Sequence, residues 1–170
     1  MPLRKVYNYY PAVDSLPELS KQYIVGHEVC LWTEYITNQS QAEYAAFPRN
    51  VAAAEVGWTE RGNKDWESFR RRMPKVLRSL EMKNVNYCPA YYEVIFNYDR
   101  RLPFPKEMDL ELDYPDGHVR YTLDGSAPTM KSPVYDGKPF IVDKGSVIRA
   151  RGFSKNGKPL GKEVRKEFAK

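Results

Sequence analysis

Two cysteines and two histidines are the whole supply of thiol and imidazole metal ligands in 170 residues. Cys30 and Cys88 are too few for a disulfide framework or a zinc site, and neither HExxH nor CxxC occurs. No metal centre and no cofactor is therefore expected. No apolar run approaches the ~20 residues that a membrane span needs. The opening residues, Met1-Pro-Leu-Arg-Lys-Val-Tyr7, lack the apolar core of a signal peptide, so an exported protein would carry its signal elsewhere or have lost it.

Acidic charge is scarce in one half only. Residues 1–99 hold 12 Lys+Arg and 12 Asp+Glu, whereas residues 100–170 hold 15 and 10, so the formal excess of +5 lies wholly in the second part. Lys155, Lys158, Lys162, Arg165, Lys166 and Lys170 could attract an anion, or simply keep an edge strand from pairing with another chain. No reader motif accompanies the charge, and a nucleic-acid partner is not expected.

What is present begins with Tyr23-Ile-Val-Gly-His-Glu-Val-Cys-Leu-Trp32-Thr33-Glu34-Tyr35. The run reads as a buried parallel strand with an aromatic, a hydroxyl and a carboxylate emerging at its C-terminal end, the end where α/β sheets and barrels bind ligands. Cys30 reads as a small core residue. Before it, residues 2–22 are irregular, and Tyr7, Tyr9 and Tyr10 suit packing better than a sugar site. After it, Ser40-Gln-Ala-Glu43 forms a capping box, with Tyr44, Phe47, Val51 and Trp58 on one helix face. Pro48 predicts a kink or a fresh first turn. A second helix starts near Asp65 with the stripe Trp66, Phe69, Met73, Leu77 and Leu80. Pro74 suggests a kink in it and Asn84 a stop. Arg70-Arg71-Arg72 reads as a solvated face.

Beyond the proline-rich Arg100-Arg-Leu-Pro-Phe-Pro105 the period becomes two. Met108, Leu110 and Leu112 alternate with acids, and Ile148 and Ala150 with Arg149 and Arg151. Asp116-Gly117, Asp124-Gly125, Asp136-Gly137 and Asn156-Gly157 supply turns, which fits a small antiparallel β-sandwich. The proline-rich run marks the expected boundary between residues 1–99 and 100–170. One strand and two helices cannot close a fold, and a (β/α)8 barrel needs about 250 residues. The fold class expected is α+β: a partial (β/α)8-barrel segment followed by an antiparallel β-sandwich.

Several blocks resemble glycoside hydrolase family 20, the β-N-acetylhexosaminidases. They are Val6-Tyr-Asn-Tyr-Tyr-Pro11, Ile24-Val-Gly26 through Leu31-Trp-Thr-Glu34, Phe47-Pro-Arg49, Ala54-Glu55, Trp58, and Asp65-Trp66 through Phe69. They are similar to the last βα unit of the family's barrel. Residues 120–153, with Tyr121-Thr-Leu-Asp-Gly-Ser126, Pro128-Thr129, Ser132, Tyr135 and Ile148-Arg-Ala150, resemble the β-sandwich that follows that barrel in many members.

The resemblance implies removal of terminal N-acetylhexosamine with retention of configuration, the substrate's acetamido oxygen acting as nucleophile. It implies substrate-binding roles for Trp32, as a wall of the sugar pocket, and for Glu34, as acceptor from sugar hydroxyls. The partners implied are N-acetylhexosamine-terminated glycans and the remainder of the barrel, in a parent protein that is exported. Gly26-His27-Glu28 stands where the family commonly has Gly-Gly-Gln, and a packing role is preferred for both residues. The Asp-Glu pair that orients the acetamido group and moves the proton in the family occurs nowhere in this sequence. No catalytic residue is therefore assigned, and the chain alone is expected to be inactive. The alternative is a non-catalytic carbohydrate-binding module in which Tyr121, Tyr135 and Phe153 would stack on sugar rings.

Overall fold

A computed structural model describes residues 1–169, so Lys170 of the basic tail lies outside the described residues. The architecture is α+β, a helical part followed by two small antiparallel sheets. Two compact units meet between Cys88 and Pro89.

The first unit is helical: α1 (Leu3–Tyr7), α2 (Glu18–Lys21), α3 (Gln39–Ala46), α4 (Arg49–Trp58) and α5 (Trp66–Met82). Two short helices thus occupy the stretch read as irregular. Tyr7 is buried, its ring 5.1 Å from Trp66 and 4.9 Å from Phe69. The amphipathic stripe of α5 holds as expected, with Phe69, Met73 and Leu77 buried, each such side chain contributing roughly 1.5–3 kcal/mol. Asp65 caps α5 by accepting from the Ser68 N–H at 3.1 Å. The helix runs through Pro74 as one element and ends in a Schellman motif, with Val85 N–H on the Leu80 carbonyl and Asn84 N–H on Glu81.

Three expectations for this unit need correction. The cap of α3 is Asn38, whose side chain accepts from the Gln41 N–H at 2.9 Å, and not the Ser40–Glu43 box. Phe47 before Pro48 is extended and α4 starts afresh at Arg49, as Pro48 predicted, but the restart resets the helical phase and breaks the single face expected for Tyr44, Phe47, Val51 and Trp58. Tyr44 and Trp58 consequently stay exposed, and Ala52 and Ala53 are buried instead. The third correction concerns residues 24–32, which form no strand. Among the described residues no strand pairs with them, and an extended segment with two open edges has nothing to hold it as sheet. Val25 is fully exposed, and Cys30 is exposed rather than in a core.

The second unit holds β1 (Val94–Asn97), β2 (Lys106–Leu112), β3 (Gly117–Thr122), β4 (Phe140–Val142), β5 (Val147–Ser154) and β6 (Pro159–Glu167). One sheet has the order β1-β2-β4 and the other β3-β5-β6, all pairs antiparallel. Their inner faces share one core of Val94, Met108, Leu110, Val119, Val142, Ile148, Ala150 and Phe168. Alternation therefore placed the inward residues of β2 and β5 correctly.

The units divide ahead of the proline-rich run, not at it. Val94 pairs with Leu112 and Phe96 with Leu110, so β1 is an integral strand of the first sheet. The proline-rich residues are the β1–β2 connection. The buried Lys106 ammonium gathers that connection by donating to the carbonyls of Asp99, Arg100 and Leu102. Gly161, at φ +48°, lies so near the Tyr92 carbonyl that a Cβ would meet its oxygen at 2.6 Å. Residues 89–92 are thereby seated against β6.

Candidate functional site

The two residues expected to bind sugar, Trp32 and Glu34, both lie on or just after the segment that lacks sheet partners. Trp32 is 76 % exposed. Thr33 to Ile36 form a turn closed by the Ile36 N–H on the Thr33 carbonyl at 3.0 Å, with Glu34 and Tyr35 at its centre. Among the described residues the Glu34 carboxylate has no hydrogen bond or ion pair. Trp32 and Glu34 are thus both exposed and two positions apart in the chain, one offering an aromatic face and the other an anionic acceptor. Such a pair can cover one apolar face of a pyranose and accept from its hydroxyls.

His27 is packed rather than presented. A Cβ on Gly57 would meet its Cε1 at 3.0 Å, and its ring lies 6.2 Å from Tyr9. Glu28 is exposed, with the Cys30 thiol 3.9 Å from its Oε1. Lys5, Val6, Tyr9, His27, Val29 and Val56 help line a concavity of about 300 Å³.

The tyrosine cluster is tied down by cations. Lys64 donates to the Tyr7 carbonyl and lies 4.7 Å from the Tyr7 ring centre, and burial pushes its ammonium pKa down. Burial likewise raises the Tyr7 phenol. Arg61 stacks 4.5 Å from the Tyr10 ring centre and pairs with Asp14 at 2.5 Å. That pairing holds the Asp14 carboxyl below its ordinary range. The preference for packing over sugar contact fits this arrangement for Tyr7 and Tyr10. Lys64 could not be singled out from sequence, because its partners are main-chain carbonyls more than fifty positions away.

In the second unit Phe153 is buried, its ring stacked with His118 at 6.2 Å. Tyr121 stacks on Phe140 at 4.9 Å, and Tyr135 donates to Asp109 at 2.6 Å. All three aromatic residues thus have packing partners within the sandwich, Phe153 buried and Tyr121 and Tyr135 half-buried. Among the described residues no group of three His, Cys, Asp or Glu is placed to hold a metal ion. No helix there is long and apolar enough to cross a membrane.

Comparison with known families shows what the open segment resembles. Residues 1–61 match the glycosyl hydrolase family 20 catalytic domain, and residues 103–162 match the chitobiase/β-hexosaminidase C-terminal domain. The chain is thus similar to the C-terminal part of a glycoside hydrolase family 20 enzyme. A β-hexosaminidase of Porphyromonas gingivalis is 29% identical over 165 residues, 92% of this chain and 20% of the relative. One from Akkermansia muciniphila is 35% identical over 85 residues, 50% of this chain and 17% of its own length. A β-N-acetylhexosaminidase of Cellulomonas fimi is 32% identical over 71 residues, 42% and 14% respectively. The chain thus spans about a fifth of the length of the curated relatives it matches. Trp32 and Glu34 both fall inside the family 20 segment.

Proposed function

We propose that this chain supplies part of the sugar subsite of a β-N-acetylhexosaminidase acting on N-acetylhexosamine-terminated glycans. The carrying observation is the exposed Trp32-Thr33-Glu34 set at the end of an unpaired apolar run, inside the segment similar to the family's catalytic domain. Trp32 is the wall against the apolar face of the sugar, and Glu34 accepts from its hydroxyls. Sheet partners for residues 24–32 come from the remainder of the catalytic barrel, which also carries the Asp-Glu pair. In that enzyme the acetamido oxygen of the substrate attacks its own anomeric carbon, and the carboxylic acid protonates the departing oxygen before activating water.

Alone, the chain has neither a proton donor at the leaving oxygen nor a group to orient the acetamido oxygen. Incubation with 4-nitrophenyl N-acetyl-β-D-glucosaminide is expected to release no nitrophenol above the buffer rate, and enzymatic release would overturn the fragment reading. Within an intact enzyme that contains these residues, Trp32→Ala and Glu34→Gln are each expected to lower kcat/KM by about tenfold to a hundredfold. Unchanged kinetics in both variants would remove these residues from the subsite.

A further inference from the structure

The β1–β2 connection and the start of β2 enclose a cavity of about 310 Å³. Its walls are held in place before any ligand arrives. Lys106 ties the connection down through the carbonyls of Asp99, Arg100 and Leu102. Arg101 grips both Asp99 oxygens, from Nε to Oδ1 at 3.1 Å and from Nη2 to Oδ2 at 2.9 Å. Asn97 stands directly opposite Asp109 in the β1–β2 register, and both line the cavity. Glu107 joins them from two positions earlier on the same face of β2. Tyr98, Leu102 and Pro139 supply carbon surface.

The polar lining has hydrogen-bonding capacity left over. Among the described residues the Glu107 carboxylate has no hydrogen bond or ion pair. Asp109 accepts the Tyr135 hydroxyl on Oδ1 at 2.6 Å, which uses one of the roughly four lone-pair sites of a carboxylate. Asn97 donates to Glu111 at 3.2 Å, which leaves its second N–H and its carbonyl oxygen for a ligand. Two carboxylate acceptors and a two-way amide beside a carbon wall match a ring of hydroxyls, whose O–H groups donate while the ring C–H groups lie on carbon. The volume stands at the lower end of the roughly 300–1,000 Å³ of small-ligand sites, which suits one or two sugar rings. A cation fits less well. Lys106 already lines the cavity, and no group of three acidic, Cys or His side chains among the described residues is placed to hold a metal ion.

We propose that Asn97, Glu107 and Asp109 form a second sugar subsite, on the sandwich, for the hydroxyls of a neutral glycan. That the glycan carries N-acetylhexosamine rests on the hexosaminidase reading. That the ligand is a neutral sugar rests on the cavity alone. The subsite uses the β1–β2 connection and β2, not Tyr121, Tyr135 or Phe153, whose rings have packing partners. Its effect is to keep a glycan on the enzyme between cleavages, as a linked second binding site does.

The test is a heteronuclear NMR titration of the full chain with tri-N-acetylchitotriose, cellotriose, spermidine and calcium chloride. Saturable shifts of the Asn97 side-chain amide and of the Leu102 and Asp109 main-chain amides are expected at millimolar tri-N-acetylchitotriose. A response to that trisaccharide and not to cellotriose supports the N-acetylhexosamine assignment as well. An equal response to both supports the neutral-sugar subsite and removes that assignment. Asn97 and Glu107 are exposed, so Asn97→Ala and Glu107→Ala should leave the fold intact, which thermal melts establish. Each should weaken binding by about tenfold. Lys155→Gln, at a residue whose partner is Asp116, should change it less than about twofold. The Trp32 indole N–H reports the first sugar site separately. Shifts confined to Trp32, a response to spermidine or calcium alone, equal losses in all three variants, or no response to either trisaccharide would overturn the proposal. Each of those results leaves the hexosaminidase reading standing, because the nitrophenyl assay and the Trp32 and Glu34 variants test it independently.

Discussion

Glu43 Oε2 accepts the main-chain N–H of Asn86 at 2.8 Å, while its Oε1 accepts from the Gln39 side-chain amide at 2.7 Å. The Asn86 amide in turn donates to the Ser40 hydroxyl at 2.7 Å and to the Ser40 carbonyl at 3.1 Å. Ser40 and Glu43 therefore clamp the segment after α5 onto α3 rather than capping α3.

The Asn86 N–H first, and Gln39 second, hold the Glu43 carboxyl below its ordinary value. A depressed folded pKa means that the clamp's contribution is fully present above the unfolded pKa of about 4.3. It is lost as pH falls through the folded value. Thermal melts between pH 7 and pH 3 should show a smaller acid loss for Glu43→Gln than for the parent chain. An identical acid limb in the two proteins would refute the assignment.

The alkaline limb has a different owner. Burial first, and the bond to Asp109 second, push the Tyr135 phenol up to about 12. The stabilisation of the neutral phenol is complete below the unfolded value near 10 and is lost as pH rises toward 12. Unfolding by urea at pH 9 and pH 11 should show a fall in stability that Tyr135→Phe reduces. At neutral pH that substitution should cost about 1–2 kcal/mol, because it removes a hydrogen bond to a carboxylate. A variant equal to the parent at both pH values would count against it.

Asn84 is the one non-glycine described residue with positive φ, at 55°, and it turns the chain at the end of α5. Asparagine enters this region more readily than alanine does. Asn84→Ala should therefore lower stability by about 1 kcal/mol, and Asn84→Gly should leave it unchanged or slightly higher. Equal melting temperatures for Asn84→Ala and the parent would show that the motif is not limiting.

Periodicity located α5 and the inward residues of β2 and β5, because those patterns record a face that each unit buries by itself. The stop at Asn84 was legible for a similar reason, since left-handed conformation narrows the choice of residue. The run from Tyr23 to Tyr35 failed as a strand because no described strand lies beside it to pair with, and an apolar pattern does not say what it packs against. The Ser40–Glu43 box failed because a capping motif and a tertiary clamp use the same side chains. Only the position of Asn86 tells them apart.

The boundary between the units gives a last, decisive comparison. A chain beginning at Pro89 keeps β1, Tyr91 and the seat of residues 89–92 against Gly161, whereas one beginning at Arg100 loses all three. Val94 and Tyr91 are both almost fully buried, and removing them forfeits roughly 1.5–3 kcal/mol each. The edge of β2 is also left unpaired. A domain of this size has only about 5–10 kcal/mol in total, so the shorter chain should be unfolded or markedly less stable. Residues 89–170 should give a dispersed amide NMR spectrum and a cooperative melt, and residues 100–170 should give neither. Matching spectra and melting temperatures for the two chains would return the boundary to the proline-rich run.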